Sequence, residues 1–247
     1  MAELVVAIFL LSACAAFVQR VSGFGFGIFI MMFLPHVMPS YNEAVALSGL
    51  LSGSTALFIL LRNFGHVQWR RMWIVFLSNA FVSFFVIRFM LSFSSELLRT
   101  FLGVALILVS LYFFFFESRI KGVFTSCWSQ CAVGAVSGVM GAMFGMPGPP
   151  VVLYGINAIN DKKEYMATMQ AFWLSFNLVY LCFRSGGGYY TSSTPHYLAI
   201  GAAGVLLGLF FGNKMFNAIN GRIFKFVVYS IMFLSGVAAF FQVINLK

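Results

Sequence analysis

Apolar runs of about 20 residues follow one another along nearly the whole chain, with only short gaps between them. That succession leaves one solvent for the fold. Of the 247 residues, 61% are hydrophobic and 9% are charged, and the mean hydropathy is +0.95. A soluble domain is about half apolar and a quarter charged, and a soluble fold of this size has too little interior to hide the excess. The expectation is an all-α, multi-pass integral membrane protein in a plasma membrane of the bacterial inner-membrane kind. The formal net charge of +9 falls in the gaps between runs, where basic residues set topology. No periphery remains to carry a basic face for nucleic acid. Met1-Ala2-Glu3 puts no basic stretch before the first run, which argues against a cleaved signal peptide. Cys127 and Cys131 share a helix face but have no His or carboxylate at metal spacing. They, with Cys14 and Cys182, read as small core residues, and no cofactor is expected.

The pattern predicts helices over 3–22, 24–39, 43–62, 71–91, 96–116, 127–144, 147–159, 164–184, 196–217 and 222–244. Two places interrupt it. Ser22-Gly23-Phe24-Gly25-Phe26-Gly27 breaks the first apolar stretch, and Gly141 through Pro150 breaks the sixth. Glycine weakens a helix, and proline removes a donor and clashes with the preceding turn. No charged loop follows either break, so both are expected inside the membrane, where unwound backbone survives only in protein or against a wet cavity. A shift of 118 positions lays Gly23 on Gly141, Phe26 on Phe144 and Gly27 on Gly145; a shift of 125 lays Met90 on Met215 and Phe101 on Phe226. The ordered matches suggest an internal duplication, with repeats over 1–118 and 119–247.

Charge separates two topologies. If each break is a kink in a continuous span, the basic residues divide evenly between the two sides. If each broken segment is a hairpin that returns to its side of entry, Arg62, Arg70, Arg71, Arg119, Lys121, Lys162, Lys163, Lys214, Arg222 and Lys225 share one side. Arg88, Arg99, Arg184 and Lys247 share the other. The second arrangement obeys the positive-inside rule. It implies two inverted repeats, each a broken re-entrant helical hairpin plus three transmembrane helices, with both chain ends outward.

Two opposed broken hairpins suit a small anionic ligand. Helix N-termini expose N–H groups and the positive end of the dipole, and glycine lets the ligand reach the backbone. The candidate binding residues are Arg20, Ser22, Gly23, Phe24, Gly25, Phe26, Gly27, Phe144, Gly145, Met146, Pro147, Gly148, Gln170 and Asn177. Tight helix packing by glycine is the competing reading, as are helix-end capping or snorkelling for Arg20. Glu43 and Asp161 read as helix N-caps more readily than as proton carriers. No nucleophile elbow, phosphate loop or metal pair is present, so an enzyme is not expected.

The segments Gln19-Arg20-Val21-Ser22-Gly23-Phe24-Gly25-Phe26-Gly27 and Gly141-Ala142-Met143-Phe144-Gly145-Met146-Pro147-Gly148-Pro149-Pro150-Val151-Val152-Leu153-Tyr154 resemble the glycine-rich breaks of the sulfite exporter TauE/SafE family of permeases. The resemblance runs over essentially the whole chain and implies transport of sulfite, sulfonates or related anions. Members commonly carry more glycine where this chain has Met146-Pro147. The resulting expectation is a secondary transporter of small sulfur-containing anions, with a passive anion channel or a membrane-embedded enzyme as alternatives. Proton or sodium coupling and a homo-oligomeric state stay open.

Overall fold

The computed structural model describes residues 2–116 and 126–215, and these residues are helical with short connections. The helices are α1 (Ala2–Ser22), α2 (Phe26–Val37), α3 (Tyr41–Leu61), α4 (Trp73–Met90), α5 (Ser95–Phe116), α6 (Cys127–Phe144), α7 (Gly148–Ala158), α8 (Lys162–Arg184) and α9 (Thr194–Met215). Two single 3-10 turns, Phe64–His66 and Trp69–Arg71, connect α3 to α4. Within the described residues the helix bounds fall within two residues of those expected from apolar periodicity. The run at 222–244, with Arg119, Lys121, Arg222, Lys225 and Lys247, lies outside the described residues.

Among the described residues, six helices are long and apolar enough to cross a membrane, namely α1, α3, α4, α6, α8 and α9. By contrast, α2 and α7 have 12 and 11 residues. At 1.5 Å per residue they reach roughly 18 and 16 Å, against a hydrocarbon core of about 30 Å. Both begin at a break. Gly25, at φ +97°, precedes α2, and Gly145, at φ +65°, ends α6 just before α7. No side chain with a Cβ adopts these left-handed angles without strain.

Glycine also sets the tightest seams. On α9, Gly204 lies against the Phe9 carbonyl, Gly208 against that of Ala13 and Gly212 against Arg20 on α1. The register rises along both helices together, so they are parallel. On α6, Gly134 meets Val75 and Gly138 meets Asn79 of α4, again in parallel. Removing the side chain lets two backbones touch, which is how helices associate where lipid already satisfies apolar surface. In contrast α3 and α8 run antiparallel. Gly49 faces Arg184, and beyond the end of α3 the Gln68 N–H donates to Thr168 Oγ1 at 3.0 Å. The first helix of each broken hairpin therefore packs on a helix from the other half of the chain.

These directions put the ends of α1, α3 and α9 with the starts of α4, α6 and α8. Arg62, Arg70, Arg71, Lys163 and Lys214 gather at that end, while Arg88 and Arg99 lie at the other.

Three expectations change. The cysteines are not core residues: Cys14, Cys127 and Cys182 are exposed and Cys131 is half-buried. They occupy outward helix faces, where lipid accepts a weakly polar thiol as readily as a core does. Arg184, expected among the basic residues that fall in the gaps between apolar runs, lies in the last turn of α8 and is 1% exposed. Its Nη2 donates to the carbonyls of Gly141 (3.2 Å) and Ala142 (2.9 Å), and its guanidinium lies over the Tyr180 and Tyr189 rings. A buried cation thus supplies a donor to the Ala142 carbonyl and a second donor to that of Gly141, which also accepts from the Gly145 N–H at 3.1 Å. Glu43 does not cap its own helix. Its Oε1 accepts from Thr191 Oγ1 (2.5 Å) and Thr194 Oγ1 (3.3 Å), tying the start of α3 to the start of α9. Asp161 is the N-cap of α8, accepting from the N–H groups of Lys163 (2.8 Å) and Glu164 (2.9 Å).

Candidate functional site

The two breaks meet. A Cβ placed on Gly27 would overlap the carbonyl oxygen of Gly145 and crowd the Cα of Met146. Only hydrogen fits between the two stretches of main chain. A small cavity opens beside this contact, lined by Gly25, Phe26, Gly27 and Ile28 from one break, Gly145 through Gly148 from the other, and Gln19, Ser52 and Trp173. Ser52 and Trp173 stand near the middle of α3 and α8, helices of 21 and 23 residues. The cavity is therefore roughly 15 Å from either helix end, as deep in the bilayer as this bundle allows.

Each break is held by donors to its carbonyls. Gln170 Nε2 and Trp173 Nε1 both donate to the Gly23 carbonyl at 3.1 Å. Gln19 Nε2 donates to Gln170 Oε1 at 2.7 Å, which fixes the orientation of that amide. The Ser22 hydroxyl lies 2.8 Å from the Val18 carbonyl and 2.5 Å from that of Phe24. In the second break, Ser137 Oγ donates to the Pro147 carbonyl at 2.7 Å. Asn79 Nδ2 donates to Ser137 Oγ (3.3 Å) and to Tyr180 Oη (3.0 Å). Tyr41 Oη donates to the Met143 carbonyl at 2.9 Å, and the N–H groups of Gly145 and Met146 return to the Gly141 and Met140 carbonyls. Buried main-chain groups need such partners, because an unmade hydrogen bond away from water costs about 1–3 kcal/mol.

The two helix starts differ in what they can donate. In α2 the first helical bond runs from the Phe29 N–H to the Gly25 carbonyl at 2.9 Å. The N–H groups of Phe26, Gly27 and Ile28 precede it and have no partner within the helix. In α7, Pro147, Pro149 and Pro150 have no N–H at all, which leaves Gly148 as the donor of that turn. Both helices aim the positive ends of their dipoles at the cavity, but α2 supplies most of the amide hydrogens. Ser48 Oγ is buried without a hydrogen-bond partner and lies close to Gly145.

Of the residues expected at the site, Gly25, Phe26, Gly27, Gly145, Met146, Pro147 and Gly148 line the cavity together. Ser22, Gly23, Phe24 and Phe144 shape the breaks without lining it. Gln170 lies behind Gly23, its amide already engaged. Asn177 Nδ2 is spent on the Trp173 carbonyl (2.8 Å) and Ser52 Oγ (3.4 Å). Arg20 faces away, into a separate cleft between α1, α3 and α9, where its Nε donates to Asn213 Oδ1. Sequence reasoning missed Gln19, Ile28, Ser52 and Trp173 as lining residues. A carboxamide beside the first break was the one available signal for Gln19, and nothing local distinguishes Ile28.

No curated protein and no solved structure matches the chain. The family model described as Sulfite exporter TauE/SafE matches residues 8–239, a span that contains both breaks and nearly every helix. With that match, the protein belongs to the TauE/SafE sulfite exporter family of membrane transporters.

Proposed function

We propose that the protein is a secondary transporter of small sulfur-containing anions such as sulfite or an organosulfonate, which bind between the two breaks. The observation that carries this reading is the meeting of the breaks at one mid-bundle cavity, with the N-termini of α2 and α7 both directed into it. The N–H groups of Phe26, Gly27, Ile28 and Gly148 are the proposed donors to the anion, with Gln19 and Ser52 beside them. Gln170, Trp173 and Asn177 act as positioning residues. They hold Gly23 and Ser52, and so the break, in place. The two repeats, inverted with respect to each other, belong to this proposal, as does a cytoplasmic placement for the end bearing Arg62, Arg70 and Arg71.

The volume of the cavity, about 20 Å³, holds one water molecule. It does not hold an oxyanion with several heavy atoms. The breaks must separate to admit substrate, and parting of one half from the other gives access to one side at a time. That requirement favours alternating access over a permanently open anion channel.

The test is uptake into liposomes by purified protein, across sulfite, sulfate, sulfonates and carboxylates, with and without proton or sodium gradients. Saturable, gradient-driven accumulation of sulfite or a sulfonate is expected. Flux that never runs uphill identifies a channel, and absence of flux for every sulfur anion refutes the assignment.

A further inference from the structure

The cleft that holds Arg20 has a volume of about 180 Å³, far larger than the central cavity. Its lining divides sharply by chemistry. Arg20, Arg62 and Asn213 form one end, and Phe58, Leu206 and Phe210 line the wall beside it. Those three apolar side chains are 47%, 51% and 55% exposed, on the outward surface of a bundle whose surroundings are lipid. Among the described residues, the lining contains two guanidinium groups and no carboxylate. Arg62 is the C-cap of α3, a helix long enough to span, so the Arg62 end of the cleft stands toward the headgroups on the same side as Arg70, Arg71 and Lys163, and Arg20 reaches it from the end of α1 beside the first break.

A ligand that fits must carry negative charge at one end and hydrocarbon along the rest, and must reach the cleft sideways through the bilayer. We infer that this cleft binds an anionic phospholipid, its phosphate between Arg20 and Arg62 and an acyl chain along Phe58, Leu206 and Phe210. Basic pockets between helices at the cytoplasmic surface select acidic headgroups on these electrostatic grounds, and the stem of arginine packs along apolar surface while its head stays polar. A free inorganic anion would satisfy the arginines but leave the apolar wall unexplained. The site has a mechanical consequence. Arg20 is two residues from Ser22 and adjoins Gln19, which lines the central cavity. A phospholipid held here ties the end of α1 to α3 and α9. The inference does not depend on which anion is transported.

The experiment uses the full-length protein in neutral detergent, with phosphatidylglycerol, phosphatidylcholine or inorganic phosphate added. Bound lipid is read by native mass spectrometry and stability by thermal unfolding. Phosphatidylglycerol should be retained and should raise the melting temperature, and the other two should not. Arg62→Ala should lower the preference for phosphatidylglycerol over phosphatidylcholine about fivefold, the weight of one surface cation, with Arg62→Lys retaining most of it. Leu206→Trp, which fills the cleft and leaves both arginines in place, should displace the lipid as well. Equal retention of the two lipids, or equal stabilisation by inorganic phosphate, overturns the inference. So does an unchanged preference in Leu206→Trp, which remains decisive should Arg62→Ala not fold.

Discussion

At the scale of single residues, Gly27 and Gly148 occupy similar places in the two breaks but predict different outcomes. Gly27→Ala drives a methyl into the Gly145 carbonyl, and neither stretch of main chain can yield cheaply. Overpacking of this kind costs about 1–3 kcal/mol or more, so the variant should lose several degrees of melting temperature in detergent. Gly148 has only the Trp173 ring at 4.0 Å from a modest Cβ. Gly148→Ala should therefore keep the wild-type melting temperature while its substrate KM rises, because the methyl enters the cavity. Unaltered transport by a well-folded Gly148→Ala would remove this cavity from the mechanism. Gly25, by comparison, is a poor probe of binding. Its φ of +97° makes any larger residue a test of backbone strain.

Asp161 gives a residue-scale prediction in pH. The Glu164 N–H, followed by the Lys163 N–H and the charges of Lys163 and His66, holds its carboxyl below the ordinary 3.8, with partial desolvation opposing. A carboxyl lowered by folding stabilises the folded state above its unfolded pKa and loses that contribution as pH falls through the folded value. Asp161→Ala should thus unfold at a lower temperature than wild type at pH 7, with the gap closing as pH falls below 3.8. A gap of constant size at all pH values would mean that the cap contributes nothing through its charge.

At the scale of elements, the hairpin α6–α7 depends on a side chain from α8. Arg184 covers two terminal carbonyls of α6 and stacks on tyrosines with no carboxylate bonded to it among the described residues. Arg184→Met keeps much of the volume but leaves the Gly141 and Ala142 carbonyls without this donor. Gly141 keeps the Gly145 N–H, but the unmade bond at Ala142 costs about 1–3 kcal/mol, so thermal unfolding should shift down by more than for a surface arginine such as Arg88→Met. Arg184→Lys should rescue only part, since a point ammonium cannot fork to two carbonyls and stack on rings. The same scale explains why α2 and α7 exist as separate helices. Their apolar stretches are too short to span, and each is bounded by a glycine at positive φ on its break side.

At the scale of the whole molecule, the arrangement of ends predicts accessibility. Gly65, in the link from α3 to α4, and Gly186, in the link from α8 to α9, both face open space and lie at opposite ends of the bundle. In a background without the native cysteines, Gly65→Cys should react with an impermeant maleimide from one side of the membrane only, and Gly186→Cys only from the other. Labelling of both from one side contradicts the hairpin topology.

The solvent, the helices and the two interruptions are legible in the order of residues alone. Each of these depends on local quantities: apolar run length, glycine and proline content, and charge in the gaps. That order also points to seven of the residues that line the central cavity, because the breaks that carry them are local too. What the polar side chains face is not legible there. Gln170 meets the Gly23 carbonyl across 147 residues of chain, and Asn177 meets Ser52 across 125. Arg20 adjoins one break in sequence yet turns toward Asn213, 193 residues away. A helix presents neighbouring residues to different faces every 100° or so, and which face meets a cavity, a partner helix or lipid is fixed by packing between distant segments.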